Sequence, residues 1–123
     1  VRDGKFEFVV TTVQPGKASV GSGYLKATAQ GQFVVVKLTV RNIGDRQQMF
    51  AGSAQKMTDQ QGRELSTDTM AGIYLDSDNF LAEINPGNSV QGTLVFDIPK
   101  DAVPTTLELH DSVFSGGVTV RLS

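Results

Sequence analysis

The residue types that carry most protein chemistry are scarce in this chain. His110 is the only histidine, and there is no cysteine. His110-Asp111-Ser112 sets a base, a carboxylate and a hydroxyl in a row, the parts of a nucleophilic triad. In an extended backbone successive side chains point to opposite faces, so Asp111 would point away from the imidazole it must orient. The run reads instead as a strand end whose histidine is held by hydrogen bonds. One histidine is too few nitrogen ligands for a zinc-type site. The lack of cysteine removes thiolate metal sites, disulfides and thiol nucleophiles together.

Oxygen-ligand chemistry has one candidate. Asp76-Ser77-Asp78-Asn79, with Asp68 nearby in sequence, could gather oxygens for Ca²⁺, which takes about six to eight. The Gly and the terminal Glu of an EF-hand loop are missing, so a solvated, turn-forming stretch is the plainer reading. Asp76, Asp78 and Asn79 are the only residues worth testing as metal ligands, and no cofactor is expected. Ser115-Gly116-Gly117 lacks the Gly-x-Ser-x-Gly frame and reads as a bulged loop. The carboxylates Asp3, Glu7, Glu64, Glu83, Asp97 and Glu108 contain no pair whose spacing selects it for acid–base work. Met49, Met57 and Met70 lack the clustering of a soft copper site and read as core or edge packing. With no nucleophile–base set to assemble, the chain is not expected to be an enzyme.

Composition narrows the partners. The net charge is −2, and the eleven basic residues are scattered singly along the chain. Neutralising phosphates takes a clustered basic footprint, so nucleic acid is excluded as a partner class. The 123 residues suit one domain, 1–123, without room for a second core. An apolar fraction of 39% is too rich for a disordered chain. No apolar run approaches the roughly 20 residues of a spanning helix, so this segment is not expected to insert into a membrane. The chain opens on Val1, and an anchoring or targeting segment is expected upstream of it.

The elements that must position these residues read as strands. Gln32–Gly44 is the longest apolar run. Val34, Val36, Leu38 and Val40 form one unbroken apolar face; on the other, Phe33 and Val35 give way to Lys37, Thr39 and Arg41. Such a strand is covered on both faces in its first half and wet on one face in its second. Lys5–Val13 is a first strand with Phe6, Phe8 and Val10 on one face and Glu7, Val9, Thr11 and Val13 on the other. Gln14-Pro15-Gly16-Lys17 is expected to end it. Ala18–Gln30 reads as a long Gly- and Ser-rich connection with at most a short edge strand. Gln47–Phe50 is a short strand carrying Met49 or Phe50 inward. Gln55–Asp59 and Arg63–Ser66 flank Asp59-Gln60-Gln61-Gly62, a hairpin turn with Gly in a left-handed conformation. Met70, Ile73 and Tyr74 fall at helical spacing, with Ser66, Thr67 or Asp68 as cap. Phe80–Ile84 and Ser89–Ile98 are strands about the turn Asn85–Asn88; the second turns Val90, Gly92, Leu94, Phe96 and Ile98 inward, and Gln91, Thr93 and Asp97 outward. Leu107 with Leu109, and Val118 with Val120 and Leu122, mark the last two strands. About eight or nine short strands with no long helix predict an all-β, immunoglobulin-like sandwich of two antiparallel sheets.

Four stretches then carry a family resemblance over nearly the whole chain. They are Val1-Arg2-Asp3-Gly4-Lys5-Phe6-Glu7-Phe8, Gly31-Gln32-Phe33 through Val40-Arg41-Asn42-Ile43-Gly44, Ile84-Asn85-Pro86-Gly87 through Pro99, and Leu107–Asp111 followed by Phe114-Ser115-Gly116-Gly117. The chain resembles the telokin-like, immunoglobulin-fold family of bacterial surface proteins related in fold to the mycobacterial immunoprotective extracellular protein. The common domain of that family is of unknown function. The resemblance implies a place outside the cytoplasmic membrane of a Gram-positive bacterium, secreted or tethered as a lipoprotein or by a single helix. Some relatives carry a cysteine pair; Gln14 and Val34 stand in its place, so no bridge is expected here. The function this implies is a non-catalytic, extracytoplasmic interaction or adhesion module. It would meet a protein or cell-envelope partner through loops at one end and an exposed sheet edge. The alternative is an ion- or small-ligand-binding carrier using Asp76, Asp78 and Asn79. The partner and the oligomeric state are not legible.

Overall fold

The strands form where the apolar alternation is strongest. A computed structural model of the chain describes residues 1–22, 25–75, 81–111 and 116–122. In chain order its strands begin with β1 (Arg2–Asp3), β2 (Phe6–Ser22), β3 (Leu25–Asn42), β4 (Gln48–Ala51) and β5 (Lys56–Asp59). They continue with β6 (Glu64–Ser66), β7 (Leu81–Ile84), β8 (Ser89–Ile98), β9 (Pro104–Leu109) and β10 (Val118–Arg121), with the helix α1 (Thr69–Leu75) after β6. One antiparallel sheet has the order β1-β2-β3-β8, a second has β10-β9-β5-β6, and β4 pairs with β7. The inward faces of all three meet in one core containing Phe6, Phe8, Val36, Phe50, Met57, Ile84, Phe96 and Leu107. Phe6 packs edge-on against Phe8 at 5.9 Å and Phe50 at 6.4 Å, fixing β4 over the first sheet.

β3 is the central strand, and its change of character follows its surroundings. Val34, Val36, Leu38 and Val40 are buried in the main core. Phe33 and Val35 are buried on the opposite face, in a second cluster with Val20, Ala71 and Val95. Ala71 belongs to α1, which packs across β2, β3 and β8. Asp68 caps this helix by accepting the Ala71 N–H at 3.1 Å. Lys37 and Arg41 lie past the cover and are exposed, with Thr39 half-buried. Each buried Val or Phe contributes roughly 1.5–3 kcal/mol by leaving water.

Several details depart from the periodicity. There are ten strands among the described residues, and β2 and β3 are long, at 17 and 18 residues. Pro15-Gly16 does not end β2; a register shift between Gln14 and Lys17 takes up the irregularity, and the strand runs on to Ser22. Proline fits there because no strand among the described residues pairs with that side of β2 to receive its missing N–H. The segment 18–30, read as a connection, is the paired end of the β2–β3 hairpin, with Val20 against Ala27 and Ser22 against Leu25. A second bulge between Val10 and Thr12 inverts the alternation, so Val13 packs toward the core opposite Val36. Phe50, not Met49, is the inward residue of β4. Met70 and Met49 are exposed, leaving Met57 as the core methionine. Thr93, expected on the wet face, is buried.

The polar residues inside the fold are fully occupied. Asn42 donates from Nδ2 to the carbonyls of Arg46 and Ile84, both at 2.7 Å, and accepts the Gly44 N–H at 2.9 Å. Gln32 accepts the Gly16 N–H and donates toward the carbonyls of Pro99, Lys100 and Ala102. Asp97 does not simply face outward: its carboxylate accepts the N–H groups of Gln30 and Gly31.

Asp59 closes the β5–β6 hairpin, whose Gly62 adopts the expected left-handed φ of 77°. Its buried carboxylate accepts the N–H groups of Gln61 and Arg63 at 3.0 Å and meets the Arg63 guanidinium at 2.6 Å. Desolvation alone raises its pKa; the Arg63 N–H, the Arg63 side chain and the Gln61 N–H outweigh it and hold the group below the ordinary carboxylate value. The stability this contributes is fully present above the unfolded-chain pKa of about 3.9 and is lost as pH falls through the lower folded-state value. Asp59→Asn is therefore expected to melt lower than the parent at neutral pH and to lose less between about pH 4 and pH 2. Equal acid sensitivity in thermal melts of the two proteins would assign that dependence to another carboxylate.

Candidate functional site

β9 ends at Leu109, and its last outward residue, Glu108, sits opposite Lys56 of β5. His110 comes two residues after Glu108, and its Nε2 lies 2.7 Å from Glu108 Oε1. Gln55 holds the backbone here from the other strand: its Oε1 accepts the His110 N–H at 2.7 Å, and its Nε2 donates to the carbonyls of His110 and Ala51. Gly117 backs the imidazole so closely that a Cβ there would clash with the ring. Asp111 is committed elsewhere, accepting the Lys5 N–H at 3.0 Å while its own N–H donates to Asp3 Oδ2 at 2.7 Å. Ser112 lies outside the described residues.

The carboxylate that meets the histidine is thus Glu108, a pairing sequence reading missed. Its signal was the i, i+2 spacing on a strand, the same rule that separates Asp111 from His110. Lys56, Glu64 and Ser53 complete a shallow groove of ≈ 340 Å³ around the pair. The arrangement joins an imidazole to a carboxylate at the end of a strand. Among the described residues no three histidine or carboxylate side chains converge where a metal ion would sit. Asp76, Asp78 and Asn79 lie outside the described residues. Three other grooves among the described residues have volumes of ≈ 320, 260 and 330 Å³, similar to this one and at the small end for ligand pockets.

The second feature is an open edge. β1 pairs with β2 only at Phe6 and Glu7, and Val1 adds a backbone pair to Phe8. From Val9 onward no strand among the described residues covers the outer side of β2. The stretch Val9-Val10-Thr11-Thr12-Val13-Gln14 is uncharged and rich in β-branched residues. Across from it lies β10, the edge strand of the other sheet, and Val10, Val13, Val120 and Leu122 line a groove between the two edges. The bulge beside Thr11 and the Pro15-Gly16 irregularity break the edge into short pieces, which limits indiscriminate pairing.

Residues 1–120 match the model of a family described as a domain of unknown function, DUF4352. The chain belongs to this family. Its fold is that of the yjhA protein from Bacillus subtilis, with 15% identity, 100% of this chain and 95% of that chain covered, and a TM-score of 0.73. It is likewise similar to MPT63, a secreted protein from Mycobacterium tuberculosis, at 18% identity over 89% of this chain and 78% of that one, with a TM-score of 0.63. An uncharacterised β-sandwich protein from Clostridium difficile 630 aligns at 12% identity over 100% of this chain and 89% of that one, with a TM-score of 0.59. No curated protein sequence matches the chain. The family resemblance and the sandwich expected from the strands are both borne out.

For this DUF4352 domain the likenesses establish a fold, and a fold hosts many functions. Chemistry has to be argued from the surfaces themselves. The His110–Glu108 pair is tied into strand-end hydrogen bonding through Gln55, whereas the β2 edge, a stretch of strong strand formers, has no partner strand among the described residues.

Proposed function

We propose that this DUF4352 domain is a non-catalytic, extracytoplasmic interaction module of adhesion type, a single sandwich spanning 1–123. The observation that carries the reading is the open β2 edge beyond Val9. An extended partner segment can add to such an edge by backbone hydrogen bonds, with alternate side chains entering the groove beside Val13 and Val120. The likeness to a protein described as secreted supports the extracytoplasmic placement.

Because residues 1–123 hold no cysteine, single-cysteine variants of this segment report position with no background from it. Thr12→Cys lies on the open edge and Gln91→Cys on the exposed face of β8. In intact cells producing the full-length protein, a membrane-impermeant maleimide is expected to label Gln91→Cys and to spare Thr12→Cys, while both label equally in the purified domain. Labelling of neither until lysis would refute the placement; equal labelling of both in intact cells would refute the occupied edge.

A further inference from the structure

The point on β3 where the cover of its outer face stops is also the site of a groove. Val35 and Lys37 are two residues apart and share that face; Gln14 faces Val35 from β2, and Lys17 stands opposite Phe33. The returning end of the β2–β3 hairpin brings Ser19 and Val20 over the same face, with Val20 buried against Phe33 and Val35. The result is a groove of ≈ 320 Å³ whose polar lining is Lys17, Lys37, Gln14 and Ser19 and whose apolar floor is Val20 and Val35.

Every polar side chain in that lining can donate a hydrogen bond, and among the described residues no carboxylate lines it. Neither lysine forms an ion pair among the described residues. The carboxylate nearest in register, Asp97, stands two strands from Lys17, roughly 10 Å away at ordinary strand spacing. It is already occupied by the N–H groups of Gln30 and Gly31. On a chain of net charge −2 this groove is a local reversal of sign. We propose that it binds a phosphate or carboxylate group carried on a small apolar stem. The two ammonium groups would hold the anion, with the Gln14 amide and Ser19 hydroxyl orienting it and the stem lying on Val20 and Val35. The site lies on the face of the first sheet, so it is independent of whether the β2 edge is occupied.

The test is an NMR titration of the purified domain with phenyl phosphate, benzoate and inorganic phosphate in parallel. Expected are saturable amide shifts at Gln14, Ser19 and Lys37 with phenyl phosphate or benzoate, weakened by added salt and by at least about tenfold in Lys17→Glu/Lys37→Glu. The comparison of phenyl phosphate with benzoate separates a phosphate ester from a carboxylate as the natural group. Both substitutions are at exposed positions, and an unchanged melting temperature confirms that the variant is folded. Shifts that do not saturate, or that keep their affinity in the folded double variant, overturn the proposal. Inorganic phosphate binding as tightly as phenyl phosphate overturns the role given to the apolar floor.

Discussion

Val36→Asp is expected to leave the domain without a cooperative unfolding transition. Val36 has no exposed surface, and its neighbours across the sheet are Val13 on β2 and Leu94 on β8. All three belong to the main core, so a carboxylate at this position finds no donor. Leaving it charged or protonating it costs several kcal/mol, and roughly 1.5–3 kcal/mol of apolar burial is lost as well. A domain of this size has only about 5–15 kcal/mol in hand. Lys37→Glu, one residue on but exposed, is expected to shift stability by no more than about 0.5 kcal/mol. Urea melts followed by circular dichroism read both. A Val36→Asp midpoint equal to that of the parent would mean that β3 is not the strand on which the sandwich is built.

That contrast was legible because adjacent positions on β3 differ in type, and strand alternation turns type directly into face. The same rule failed wherever the backbone breaks the alternation. Val13 reads as outward because nothing in Val10-Thr11-Thr12-Val13 announces a bulge; pairing with β3 creates it. The 18–30 segment carries no apolar alternation, and its strand state depends on hairpin pairing and on Val20 reaching Phe33 and Val35, contacts remote in sequence. The groove at Lys17 and Lys37 was hidden for this reason, since its two lysines come together only if 18–30 folds back. Lys37 alone reads as solvent face. The helix at 69–75 was legible in type, but Ala71 is its buried contact and Met70 points to solvent.

Asn42→Ala should be the most damaging polar-to-small change among the described residues, at about 3 kcal/mol or more. Polar residues at strand ends ordinarily read as surface, and Asn42 is fully buried. Its side chain joins three places: Gly44 and Arg46 in the turn after β3, and Ile84 at the end of β7. Alanine keeps the backbone bonds of residue 42 to Gly87 and Asn88 but removes all three side-chain partners, at about 1–3 kcal/mol for each group left without one. Asn42→Asp separates hydrogen bonding from shape. The carboxylate has nearly the same volume and still accepts the Gly44 N–H, yet it presents oxygen to two carbonyl oxygens that now receive donors at 2.7 Å. Asp is therefore expected to be at least as destabilising as Ala at neutral pH, although it is the closer mimic in shape. Urea midpoints give the ranking: parental stability for Asn42→Asp would mean that donation to Arg46 and Ile84 is not what anchors the end of β3, while damage from both variants identifies it as the anchor.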